Sequence, residues 1–122
     1  MEKEKKDALA EIKQQLERAI EESAMLTNIL ASHFDKTTKE NRMAWLRAIR
    51  DTTETELLLR SAKKWSNTGC FPQETLEAEL KRLKPRLSVT YFDIADLNDT
   101  EALKLFKELY GELQNIMKAL ER

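Results

Sequence analysis

Apolar residues recur in alternating steps of three and four along most of this chain, and the breaks in that rhythm divide it into helices. Leu9, Ile12, Leu16, Ala19, Ser23, Leu26, Leu30 and His33 keep the rhythm through 8–34 and predict one long helix with a single seam. Glu11, Lys13, Glu17, Arg18, Glu21 and Glu22 fill most of the opposite side. Such a seam has to be covered, by the rest of the chain or by a second copy of it. Met25 and Ile29 fall outside the seam, one turn apart. They are read either as covered by another helix or as a partner surface.

Asp35 to Thr38 reads as a connection, and Thr37-x-x-Glu40 has the spacing of a capping box. A second helix is predicted over about 38–66. Its main stripe is Trp45, Leu46, Ile49 and Leu57, with Thr53 between. Leu58, Ala62 and Trp65 form another stripe on the far side. Leu57, Leu58 and Leu59 cannot all point one way, so the later half of this helix is expected to lie between neighbours. Ser66-Asn67-Thr68-Gly69 ends it, and Gly69 or Asn67 suits a left-handed C-cap. Pro72 fits the first turn of a third helix, short, over about 72–84, with Leu76, Leu80 and Leu83 on one face. Pro85 is expected to stop or kink it.

Residues 86–98 are ambiguous: a short fifth helix capped by Ser88 or Thr90, or an extended loop with aromatic anchors at Tyr91 and Phe92. Asn98-x-x-Glu101 matches a second capping box and opens the last helix. Its seam is Leu103, Phe106, Tyr110, Leu113, Met117 and Leu120, widened by Leu105, Leu109 and Ile116 to an arc that faces two neighbours. The fold class is therefore an all-α bundle of four main helices in one domain over 1–122. The predicted core is Leu9, Ile12, Leu16, Leu30, Leu46, Ile49, Leu57, Leu80, Leu103, Phe106, Leu113 and Met117. The surplus of apolar positions also suggests a homodimer.

Composition agrees with long helices, since 122 residues include only two Gly and two Pro. The net charge of −1 conceals a segregation: residues 36–65 carry eight basic and four acidic side chains, whereas 1–35 carry five and eight. Residues 93–122 carry four and seven. Either the acidic ends complement the basic middle inside the fold, or the middle faces an acidic partner such as nucleic acid. The single Cys70 excludes an intramolecular disulfide and points to a reducing compartment. No long apolar run and no signal-peptide pattern occur, so the expected location is cytoplasmic.

Candidate chemistry is sparse. One His and one Cys do not make a structural zinc site. His33 reads as a helix-end residue, and Cys70 as a small loop residue with no base placed beside it. No Gly-rich phosphate loop or EF-hand spacing is present. Glu74-x-x-Glu77 followed by Asp93-x-x-Asp96 resembles the carboxylate pairs of the all-helical nucleoside triphosphate pyrophosphohydrolases of the MazG type. That resemblance implies a magnesium ion held between two helices and hydrolysis of a nucleotide. Asp93 stands where the family pattern has glutamate, and Pro85 interrupts the intervening segment.

The reading that follows is a non-enzymatic protein-binding module with no cofactor and no metal: an adaptor, an inhibitor or a small regulatory subunit, of the kind a phage or plasmid carries. Met25, Ile29, Leu58, Ala62 and Trp65 are the expected contact surface, with Arg47, Arg50 and Lys63 as rim charges. A nucleic-acid-associated regulator using 36–65 is the second expectation, and the MazG-type hydrolase the third.

Overall fold

The computed structural model describes residues 2–34, 38–66 and 73–121, with side chains from residue 10 onward in the first stretch and up to Trp65 in the second. The described residues form four helices, α1 (Glu2–His33), α2 (Arg42–Ser66), α3 (Gln73–Asp96) and α4 (Thr100–Leu120), with one 3-10 turn (Lys39–Asn41) before α2. No strand occurs among the described residues. Each helix packs on two others, α1 on α2 and α4, and α3 on the same two. Neighbours are antiparallel throughout. Glu17 meets Lys63 and Thr27 meets Thr52 between α1 and α2, while Arg47 meets Asp93 and Asp51 meets Arg86 between α2 and α3. Between α3 and α4, Tyr91 meets Phe106 and Gln73 meets Leu120.

The seam of α1 is as its spacing predicts: Ile12, Leu16, Ala19, Leu26 and Leu30 are buried, and so is Ser23, whose hydroxyl donates to Ile20 O at 2.9 Å. Because α2 and α4 cover this seam, the fold needs no second copy to hide it. The side chain of Leu9 lies outside the described residues. In α4 the buried line is Ala102, Phe106, Leu109, Leu113, Ile116 and Leu120. Leu103, Tyr110 and Met117 flank it, half-buried, as a wide arc between two neighbours requires.

Two expectations are overturned. First, α3 does not stop at Pro85; it runs through the proline to Asp96 and absorbs the ambiguous 86–98, so there is no separate fifth helix and no anchored loop. Leu76, Leu80, Leu83, Leu87, Thr90 and Ile94 are buried in steps of four and three that cross the proline without a change of register. Pro85 itself is exposed, so the carbonyl that loses its partner faces solvent. Burial of Leu87 and Ile94 beyond the proline, at roughly 2 kcal/mol for each large apolar group, outweighs its cost of about 3 kcal/mol.

Second, α2 is turned relative to the expected stripe. Leu46 and Leu57 are 48% and 59% exposed, not core. Ile49 is half-buried. The buried line is Trp45, Ala48, Thr52, Thr55, Leu59 and Ala62, with Asp51 at its edge. Small and hydroxylated side chains let α1 and α2 approach closely, as the direct 2.9 Å bond from Thr27 Oγ1 to Thr52 Oγ1 shows. The hydroxyls also satisfy themselves locally: Thr52 donates to Ile49 O and Thr55 to Asp51 O.

The capping boxes fare differently. Thr37 lies outside the described residues, and Thr38, the N-cap of the 3-10 turn, makes no side-chain cap bond. The cap of α4 is Asp99 rather than Asn98, accepting from Ala102 N at 3.0 Å. Asn98 instead adopts φ 56°, which asparagine tolerates better than most side chains, and so turns the chain from α3 into α4. The expected C-cap at Asn67 or Gly69, together with Cys70 and Pro72, lies outside the described residues.

Candidate protein interface

An apolar depression lies where α3 and α4 run side by side. Leu87, Tyr91, Phe92, Phe106 and Tyr110 line a furrow of about 340 Å³, with Ser88 and Lys107 at its edge. A narrower continuation of about 20 Å³ shares Leu87 and Tyr110 and runs on past Lys84, Leu113 and Gln114 to Leu80 and Met117. The aromatic rings form a chain. Phe92 meets Tyr91 edge-on at 5.6 Å, Tyr91 meets Phe106 at 6.1 Å, and Phe106 stacks on Tyr110 at 6.2 Å. Phe106 is buried and anchors the floor, whereas Phe92 is 66% exposed at the mouth. The reason lies in the seam of α3. With Leu87, Thr90 and Ile94 turned inward, Tyr91 falls on the flank toward α4 and Phe92 on the outer side.

The residues expected to form a contact surface do not gather there. Met25 and Lys63 do share a groove between α1 and α2, but Glu17, Glu21 and Arg60 also line it, and Lys63 pairs with Glu17 at 3.4 Å. Ile29 and Leu58 are half-buried against the core. Ala62 is 3% exposed and part of the core, which corrects its assignment to a surface. Trp65 is half-exposed near the end of α2. Arg47 and Arg50 are held in ion pairs, Arg47 Nη2 on Asp93 Oδ1 at 2.9 Å and Arg50 Nε on Asp51 Oδ1 at 3.1 Å. Phe92 and Tyr110 are not brought together by sequence reasoning, because a third helix ending near Pro85 leaves the aromatics outside it. The signal was available in the unbroken four-and-three spacing from Leu76 to Ile94.

Part of the charge segregation is settled inside the molecule. Besides Arg47, Arg50 and Lys63, Arg60 pairs with Glu56, and Arg86 bridges Asp51 and Glu54, each at 2.6 Å. The Arg86 guanidinium holds the Glu54 carboxyl below its usual range, and the two carboxylates raise Arg86 in return. Lys63 with Glu17 and Arg47 with Asp93 are the complementation of a basic middle by acidic ends that the composition suggested.

At one end of the bundle a cavity of about 470 Å³ is lined by His33, Thr38, Asn41, Trp45, Asn98 and Asp99, among others. His33 Nδ1 lies 2.5 Å from Asp99 Oδ2, and Trp45 meets the imidazole edge-on at 6.3 Å. A carboxylate in this position orients general bases in hydrolases. Here its other oxygen caps α4, so the pair ties the end of α1 to the start of α4.

The carboxylate quartet is dismantled. Glu74, Glu77, Asp93 and Asp96 all lie on α3, and the nineteen residues from Glu74 to Asp93 span roughly 28 Å of continuous helix. Glu77 pairs with Lys81 and Asp93 with Arg47. The two pairs therefore do not meet at one ion within this chain, and no cluster of three or more metal-ligating side chains occurs among the described residues.

A different acidic group has a measurable consequence. Burial raises the Glu22 carboxyl from 4.5 to about 7, with Glu112 and Glu108 of α4 and neighbouring Glu21 adding to the rise and Arg18 opposing it. The folded protein thus binds an extra proton between those values. Stability is full at the acid end of the window and falls as pH rises through about 7. Urea unfolding should show a loss of about 1 kcal/mol between about pH 5 and pH 8, after discounting for solvent around a half-exposed group. Glu22→Gln should flatten this profile, matching the wild type at the acid end and exceeding it at the alkaline end. A wild type that gains stability across the window would refute the assignment.

No protein-family model matches the chain, and neither a curated protein nor a solved structure is significantly similar to it. No helix among the described residues is long and apolar enough to cross a membrane.

Proposed function

We propose that this protein is a protein-binding module, an adaptor, inhibitor or small regulatory subunit, and that the α3–α4 furrow is its contact site. The observation that carries the reading is Phe92, two-thirds exposed at the mouth of an apolar furrow whose walls are already aromatic. The bundle gains little from that ring. Covering it would contribute roughly 2 kcal/mol to an association. Exposed aromatics beside apolar pockets are the usual anchors of interfaces.

The test is affinity capture from nuclease-treated lysate of the source cell, with the wild type and Phe92→Asp in parallel. The wild type should retain a stoichiometric protein, and the variant should lose about thirty-fold of that affinity, the scale of a hot spot of ~2 kcal/mol. The variant should keep its helical circular dichroism and melting temperature, because the ring is exposed. Equal capture by both proteins would move the site away from the furrow. Recovery of nucleic acid alone, abolished by nuclease, would overturn the reading.

A further inference from the structure

We propose that the α3–α4 furrow receives an acidic amphipathic helix of a partner protein. The inference rests on the reading of the chain as a binding module and names what that module binds. The first observation is length. The apolar lining runs along α3 from Leu80 to Phe92, about twelve residues or roughly 18 Å at the rise of an α-helix, open from Leu87 to Phe92 and reduced to a shallow dimple of about 20 Å³ toward Leu80. That length suits a little over three turns of a third helix lying in the groove between two others.

The second observation is the nature of the walls. Both are α-helices, whose backbone groups are bonded internally. An extended peptide laid there would find no main-chain partners, whereas a helix satisfies its own amides and carbonyls and needs only an apolar face. The floor supplies the complement to such a face in Leu87, Tyr91, Phe106 and Tyr110.

The third observation is charge. No carboxylate lines the furrow or its continuation, while Lys84 stands on one wall and Lys107 on the other. Both lysines are exposed, and neither has an ion-pair partner among the described residues. Lys81, three residues from Lys84, is by contrast held by Glu77 at 3.0 Å. Cations on both banks of an apolar channel match a helix with Leu, Ile, Phe or Met at i, i+3, i+4 and i+7 and Asp or Glu on its two flanks. A second copy of this chain offers no such helix. Its acidic helices, α1 and α4, have their apolar faces inside the bundle.

The experiment is selection of a display library of random peptides, about sixteen residues long so as to exceed the furrow, on the full chain. The same library is selected on Phe92→Asp and on the double reversal Lys84→Glu with Lys107→Glu. Peptides enriched on the wild type should carry net negative charge and apolar residues in three-and-four spacing. They should gain helical dichroism on binding and lose about thirty-fold in affinity for Phe92→Asp. The double reversal, which leaves every apolar contact in place, should enrich basic peptides of the same apolar spacing. Phe92-dependent peptides with no charge bias, or with extended or proline-rich patterns, would overturn the helix while leaving the furrow as the binding site. Enrichment that ignores Phe92 would overturn the furrow, and this proposal with it. Binding of labelled oligouridylate that is lost in Phe92→Asp, with no peptide enriched, would reassign the furrow to single-stranded nucleic acid.

Discussion

Asp51→Ala should lower the free energy of unfolding by about 3 kcal/mol, although the side chain it removes is small. Asp51 is 2% exposed and accepts three bonds, from Arg86 Nη2 at 2.6 Å, Arg50 Nε at 3.1 Å and Thr90 Oγ1 at 3.0 Å. Removing it leaves the Arg86 guanidinium, itself 29% exposed, between α2 and α3 with Glu54 as its remaining carboxylate partner. Loss of one partner of such a pair is far more damaging than the pair's net contribution, because the survivor remains desolvated. Two further variants separate these terms. Asp51→Asn keeps an acceptor and should lose about half as much. Adding Arg86→Met to Asp51→Ala should recover part of the loss by removing the orphaned charge. Urea unfolding of the four proteins at neutral pH reads all of this. A double variant no better than Asp51→Ala would show that the loss comes from packing.

Ala48→Leu should destabilise the bundle by about 2 kcal/mol, while Leu57→Ser should change it by less than about 0.5 kcal/mol. Ala48 is fully buried on the line α2 turns inward, one turn before Thr52, whose direct bond to Thr27 marks a close approach of α1 and α2. Leu57 stands mostly in solvent, so a serine there forfeits little. Judged by hydropathy alone, the two effects would be expected in the opposite order. Thermal and urea unfolding of the two single variants decide between the orientations. A severe loss with Leu57→Ser and a neutral Ala48→Leu would turn α2 back to its apolar stripe.

Both cases mark where sequence reasoning reached its limit. In α1 the seam is built mainly of Leu and Ile, and periodicity finds it almost residue for residue. In α4, by contrast, the buried line is shifted within the expected arc, to Leu109 and Ile116, and leaves Leu103, Tyr110 and Met117 half-buried at its flank. The wide arc of α4 announced contact with two neighbours, and α1 and α3 are those neighbours. In α2 Leu46, Leu57 and Trp65 lie outside, and between Trp45 and Leu59 the inward line is alanine, threonine and one aspartate. Such residues carry a weak transfer free energy of their own. They become the better inward face only once Thr27, Arg86 and Thr90 stand opposite to accept or donate. For α3 the error was one of weighting, since a proline was allowed to outvote a spacing that continued through it.

The candidate site followed from that weighting. Tyr91 and Phe92 were visible as aromatic anchors, yet not as neighbours of Tyr110, because their position depends on α3 continuing and α4 returning beside it. The charge pattern was legible as a sum but not as an assignment. Acidic ends and a basic middle leave internal pairing and an acidic partner both open, whereas which lysines remain unpaired at the furrow depends on the register of α3 against α4.

Local spacing is enough to give four helices, the buried seam of α1, that of α3 up to Pro85, and the arc within which α4 buries its line. Those properties follow from local periodicity and from summed apolar area, which need no knowledge of the partner helix. The tertiary structure alone decided which way α2 turns, that α3 passes through Pro85, and that Phe92 opens a furrow between two lysines. Each of those is a contest between effects of a few kcal/mol, won by contacts between residues far apart in the chain.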